Sequence, residues 1–216
     1  MILHTAPQGS PEWHQARAGC ITGSMFVTAR QRLKSGPSKG DYTAAAKDYA
    51  FRLAVERIGG APLDEGFETW AMKRGHELEP AARAEHEVAI GVLVQPVGFV
   101  TTDDGKFGAS ADGFIGTDGG AEYKCLVSPE RLRSVILTGD LSEFTDQMQG
   151  GMWITRRKWW DFGLYCPALA PIGRQFTHYR MMRDDNYIDA LELDLIAFER
   201  LVSENEAALR NFKEAA

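Results

Sequence analysis

Gly108-Ala109-Ser110-Ala111-Asp112-Gly113, followed by Ala121-Glu122-Tyr123-Lys124-Cys125, is the stretch that decides the fold of this chain. In an extended strand successive side chains alternate between faces, so Glu122 and Lys124 point one way and Tyr123 the other. By the same alternation Cys125 points away from Lys124, towards the core. Asp112 lies at the edge of the preceding strand, and a hairpin through residues 117–120 brings it beside Glu122. Two carboxylates and an ammonium then share one concave patch. Carboxylate oxygens are hard ligands that suit Mg²⁺, or Mn²⁺ in its place, rather than zinc. An ion held there opposes the charge of a scissile phosphate and acidifies its bound water. Lys124 orients that water or meets the growing negative charge. Taken alone, Glu-x-Lys on a strand is more often a surface ion pair.

Working outward, the period on either side of this stretch is close to 2. Residues 92–100 (VLVQPVGFV), 106–116 (KFGASADGFIG) and 120–127 (GAEYKCLV) read as short strands of an antiparallel meander, punctuated by DDG and TDGG turns. Residues 157–167 and 173–182 read as two further strands. Helices flank them. Ser10-Pro11 caps a short helix to Arg17, and Ser24 is placed to cap a second over residues 25–33. Residues 34–40 (KSGPSKG) form a loop, and a helix over 42–58 closes at Gly59-Gly60. Residues 67–90 read as helical with a break or restart at Gly75 and Pro80, which sets Glu79 at a helix start. Ser128-Pro129 opens another helix, residues 141–154 form one more, and 186–212 are a long amphipathic helix. The order predicts an α+β (mixed α/β) fold, a central mixed sheet flanked by helices, as a single domain over residues 1–216.

The 216 residues carry 24 Lys+Arg against 30 Asp+Glu, a formal charge of −6, with 44% hydrophobic residues. That composition excludes disorder, collagen and a coiled coil as descriptions of the whole. No apolar run reaches the length of a membrane span, and the N-terminus has no secretory leader pattern. The three cysteines, Cys20, Cys125 and Cys166, are scattered, as expected of reduced thiols in a cytoplasmic protein. Bulk acidity argues against a nucleic-acid partner, but the charge is uneven. Residues 17–57 hold eight basic and three acidic side chains, and residues 154–183 hold six and one, so each is +5 within acidic surroundings. Such segments are either solvated faces or a phosphate-facing surface. The five histidines show no zinc-ligand spacing. His76 and His86 read as surface or structural, and Trp153, Trp159 and Trp160 read as packing before base stacking.

The Asp112…Glu122-Tyr123-Lys124 arrangement resembles the PD-(D/E)XK nuclease core, with Ala111 where the superfamily name has Pro. Three further blocks extend the likeness: Trp13–Arg17 with Ile21–Ser24, Gly75–Arg83, and Gln147–Thr155. All four, in this order, resemble the lambda-type exonucleases, also called YqaJ-like viral recombinases. The resemblance implies a restriction-endonuclease-like core in which Asp112 and Glu122 ligate the metal and Lys124 is catalytic. The family's helical glutamate falls on Glu79, which joins the metal site directly or through water, rather than on Glu77. Arg17, Ser24, Ser110 and Gln147 grip the terminal 5′-phosphate, although capping is an equal role for Ser24. Gln149, Met152 and Trp153 are assigned mainly to packing. The resemblance further implies Mg²⁺-dependent, processive 5′-to-3′ digestion of linear double-stranded DNA from its ends. The products are 3′ overhangs for recombination, made by a homotrimeric ring alongside a single-strand annealing protein, in a bacterium or its phage. An endonuclease of the same core and a DNA-end-binding module with weak catalysis are the alternatives.

Overall fold

A computed structural model describes residues 1–63 and 69–212. The chain opens with β1 (Ile2–His4) and α1 (Pro11–Arg17), where the Ser10 side chain accepts the Trp13 N–H as the Ser-Pro signature predicts. β2 (Ile21–Thr22) then passes through one tight turn over Gly23–Met25 into α2 (Phe26–Ala29). Two expectations are corrected here. The helix expected over residues 25–33 is a single turn, because the Leu33 N–H donates to the Asp41 carbonyl and the Thr43 N–H to that of Gln31, and this hairpin competes with helix. Ser24 lies inside the tight turn, makes no cap, and is exposed.

α3 (Ala44–Gly59) has its Thr43 cap and ends on Gly60 at φ 70°, as the Gly-Gly pair signals. α4 (Trp70–Ile90) corrects the expected break: it is one helix with Pro80 inside it. The expected start at residue 67 lies outside the described residues. Pro80 forfeits one ladder bond, to the His76 carbonyl, but sits on the exposed side. The Thr69 cap, the left-handed Gly91 and the buried Ala82 and His86 hold the helix on either side of it. Glu79 is therefore mid-helix.

Among the described residues the strands form two four-stranded sheets, ordered β1-β3-β4-β2 and β5-β6-β7-β8. The members not yet placed are β3 (Phe99–Thr101), β4 (Phe107–Ser110), β5 (Gly113–Ile115), β6 (Gly119–Lys124), β7 (Trp159–Tyr165) and β8 (Phe176–Met182). The expected antiparallel meander is thus only partly correct. β6 runs parallel to β7, and β2 parallel to β4. A parallel pair needs a long crossover, which α5 (Pro129–Arg133) and α6 (Thr145–Thr155) supply between β6 and β7. Residues 92–98 contribute only an isolated bridge from Gln95 to Phe114 of β5.

Close approach of α6 explains its Gly150-Gly151 pair. A Cβ on Gly150 would lie 2.3 Å from the Phe26 ring, and one on Gly151 2.9 Å from Trp160. The bare backbone lets α6 press against α2 and β7, which sets Gln147, one turn earlier, over β6. The last helix, α7 (Asp185–Arg210), packs Leu195, Phe198 and Val202 against Ala46, Ala50 and Leu53 of α3.

Candidate active site

Every site residue singled out in the sequence lines one cleft of about 550 Å³: Arg17, Ser24, Glu79, Ser110, Asp112, Glu122, Lys124 and Gln147. Glu77 does not; it lines a separate hollow on the other side of α4. The choice of Glu79 over Glu77 thus follows from which helix face meets the sheet.

At the cleft floor the hairpin β5–β6 pairs Gly113 with Ala121, so Asp112 falls beside the start of the Glu122-Tyr123-Lys124 run. The Tyr123 N–H donates to Asp112 Oδ2 at 2.6 Å. Lys124 Nζ donates to Glu122 Oε1 at 2.6 Å, and Gln147 Nε2 donates to the same oxygen at 2.7 Å. Glu122 is buried and Lys124 partly so. Glu79 descends from α4 and pairs with Arg83, whose Nη2 also donates to the Asp112 carbonyl at 3.1 Å.

The electrostatics follow from crowding. Burial, then the neighbouring Glu122 and Glu79, push the Asp112 carboxyl well above the usual carboxylate range. Burial also raises Glu79, with Glu122 adding to it against Arg83 and His76. Burial disfavours the Lys124 charge, but Glu122 and Asp112 outweigh it and hold its pKa above the ordinary lysine value. Acidic oxygens forced together out of water are what a divalent cation relieves, and the donors are of the hard type. The donors present therefore fit such an ion, and Asp112 and Glu122 are the residues that would hold it. Among the described residues no three His, Cys, Asp or Glu side chains form a group that could hold a metal ion, so the fit rests on the Asp112 and Glu122 pair.

One wall of the cleft carries a guanidinium. Arg17 Nη1 donates to Ser110 Oγ at 2.9 Å, and its guanidinium lies 4.1 Å from the Trp13 ring centroid. Burial lowers its pKa, yet an arginine stays charged. Exposed Ser24 stands on the same wall.

Several expectations are revised. Cys125 does not face the core: it is half-buried and lines the cleft, its thiol pushed up to about 11 by burial. The two basic segments do not supply the cleft as wholes. Among its charged lining residues only Arg17 comes from them. Arg30 pairs with Asp146 and Asp194, Arg57 with Glu199, Arg180 with Asp161, and Lys158 with Asp118. Gln149 is structural: it donates to the Met182 carbonyl and accepts the Asp184 N–H, each at 3.0 Å. Trp160 is buried, and Trp159 lies under the Arg180 guanidinium. Sequence reasoning missed Gln8, which donates to the Ala111 carbonyl at 2.9 Å, and Arg83. Gln8 left no signal in the sequence. Arg83 had one, its i,i+4 spacing from Glu79.

Residues 12–158 match the family model of the YqaJ-like viral recombinase domain. Among solved structures the chain is similar to an alkaline exonuclease from Laribacter hongkongensis, LHK-Exo. That match has 32% identity, covers 93% of this chain and 97% of that one, and has a TM-score of 0.78. The same exonuclease in complex with dAMP gives a TM-score of 0.80 at 32% identity and the same coverage. A phage-related exonuclease from Haemophilus somnus 129PT, at 17% identity over 88% of this chain and 96% of that one, shares the fold with a TM-score of 0.67. No curated protein sequence matches the chain.

Proposed function

The chain belongs to the YqaJ-like viral recombinase family and is a nuclease, and from that premise we propose that it digests linear double-stranded DNA from a 5′-phosphorylated end, 5′ to 3′, with Mg²⁺. The observation that carries the reading is the cleft itself. Paired carboxylates and a lysine on its floor meet an arginine–serine pair on its wall. The similar Laribacter exonuclease is known in complex with dAMP, which supports a nucleotide phosphate as the class of ligand.

In this reading Asp112 and Glu122 hold the metal ion, with Glu79 joining directly or through water. The ion supplies a bound water of lowered pKa and a positive charge facing the scissile phosphate. Lys124 keeps its proton, orients the attacking water and meets the negative charge that builds on phosphate oxygen. Gln147, expected on the terminal phosphate, has its amide engaged with Glu122 and Lys124, and in this reading it fixes the Glu122 carboxylate at the edge of the phosphate pocket. Arg17 grips the terminal phosphate with its planar fork, and Ser110 and Ser24 add hydroxyl donors. A pocket for a chain terminus makes the reaction end-dependent. The resemblance further supports processive digestion by a homotrimeric ring, with 3′ overhangs passed to a single-strand annealing partner.

Incubation with linear and with closed circular duplex, with Mg²⁺ or with a chelator, tests this. Linear DNA is expected to be degraded in Mg²⁺ alone, and the circle to survive. Digestion that persists in chelator, or cleavage of the circle, would count against it.

A further inference from the structure

Behind the cleft lies a buried polar chain that none of the chemistry above uses. His86 of α4 is fully buried. Its Nδ1 stands 3.0 Å from the Tyr123 hydroxyl of β6, and its Nε2 3.2 Å from Asp161 Oδ2 of β7. Asp161, also fully buried, receives both arms of the Arg180 fork from β8, at 2.8 and 2.9 Å. Burial pushes the Asp161 carboxyl up, but Arg180 and His86 outweigh it and leave its pKa below the usual range, so it is ionised. An ionised carboxylate only accepts, so His86 donates to it from Nε2, and Nδ1 pairs with the Tyr123 hydroxyl. Every ring nitrogen is satisfied.

The chain matters because of where its ends are attached. Tyr123 sits between Glu122 and Lys124, and its backbone N–H holds the Asp112 carboxylate. His86 is seven residues beyond Glu79, two helical turns along the same face of α4. The His86–Tyr123 bond therefore ties the helix carrying Glu79 to the strand carrying Glu122 and Lys124 from inside the core, alongside the Arg83 bond to the Asp112 carbonyl and the Arg74 bond to the Cys125 carbonyl nearer the surface. Apolar contacts such as those of Ala82 resist separation of helix and sheet but only weakly resist sliding or rotation. Directional hydrogen bonds in a dry interior do resist it.

We propose that His86 and Tyr123 are positioning residues for the metal site, setting the register of α4 on β6 and so the place of Glu79 relative to Asp112 and Glu122. The proposal rests on the metal-nuclease reading. It differs from a purely structural role, in which the chain contributes stability alone.

The test compares Tyr123→Phe and His86→Gln with Tyr179→Phe, which removes a half-buried hydroxyl bonded to the Val135 carbonyl away from the cleft. Mn²⁺ affinity of the DNA-free chain is read by paramagnetic resonance, alongside melting temperature, kcat, and KM for duplex. Each positioning variant is expected to weaken Mn²⁺ binding and lower kcat by about tenfold, the size usual for groups that orient ligands. KM should stay within about twofold, because the Arg17 wall is untouched. Tyr179→Phe should lower the melting temperature only. Should Tyr123→Phe and His86→Gln melt lower yet bind Mn²⁺ and turn over as wild type does, the positioning role is wrong. A wild-type chain that bound no Mn²⁺ would overturn the metal reading itself, and this proposal with it.

Discussion

Lys124 is held from its own strand by Glu122 and from α6 by Gln147. Glu122 takes its proton-bearing nitrogen at 2.6 Å, and Gln147 Oε1 lies 3.3 Å away. Lys124→Ala removes the charge that meets developing phosphate charge, and a loss of about 100-fold or more in kcat is expected. Melting temperature should change little, because Gln147 still donates to Glu122. Single-turnover digestion with a melting curve checks both. Arg17→Ala should erase the preference for a 5′-phosphoryl over a 5′-hydroxyl end, measured as the ratio of initial rates, while wild type keeps it. At this scale much of the cleft was legible. Alternation along a strand put Glu122 and Lys124 on one face, a hairpin brought Asp112 beside them, the family resemblance singled these out and added Glu79, and the structure brings all four into one cleft. Ser24 was half-legible: its place in the cleft holds, its cap does not, because burial of Phe26 and Ala29 and pairing across residues 31–43 set that turn. Backbone contacts such as Gln8 on the Ala111 carbonyl leave no trace in a sequence, since any donor of that length at any distance along the chain serves as well.

Elements were legible where local signals agreed with packing. Ser10-Pro11, Thr43 and Gly60 end helices as their chemistry directs. Pro80 misled because a proline in a first turn and one on an exposed mid-helix face look alike without knowledge of what anchors the helix beyond it. The parallel β6–β7 pairing was hidden too, since a period of 2 says nothing about direction. The Gly150-Gly151 pair is where packing overrides helix propensity. Gly150→Val would drive a branched side chain into the buried Phe26 ring, and destabilisation of about 1–3 kcal/mol is expected, the usual cost of overpacking. Digestion should fall further than the melting curve alone explains, because α6 carries Gln147. Chemical denaturation at equal m-value checks the first part.

Over the whole molecule the charge pattern has a different use from the one its segments suggested. From the basic stretches Arg30, Arg52, Arg57, Lys158, Arg180 and Arg183 meet acids of the same chain. Arg57 forks onto Glu199, which Lys106 also reaches at 3.1 Å, and Arg180 forks onto Asp161. Burial raises both carboxyls, but these cations outweigh it and hold Glu199 and Asp161 below their ordinary values. A depressed carboxyl stabilises the fold fully above its unfolded pKa, about 3.9–4.3 for Asp and Glu, and loses that contribution as pH falls through the folded value. Stability is therefore expected to decline below about pH 4. Arg57→Ala should cost about 1.5–3 kcal/mol near neutrality, the size of lost hydrogen bonds to a charged group, because Lys106 still faces the mostly buried Glu199, and it should flatten the acid limb. Melting curves from pH 3 to 7 for both proteins show whether it does.

The central claim is that the cleft takes a duplex end and shortens the 5′-terminated strand. A linear duplex labelled on the 5′ end of one strand in one sample, and on its 3′ end in another, tests it most directly in Mg²⁺. The account predicts that 5′ label is released as mononucleotide from the first turnovers, while 3′ label stays on long strands until late. Early release of 3′ label, or internal fragments before any mononucleotide, would contradict it.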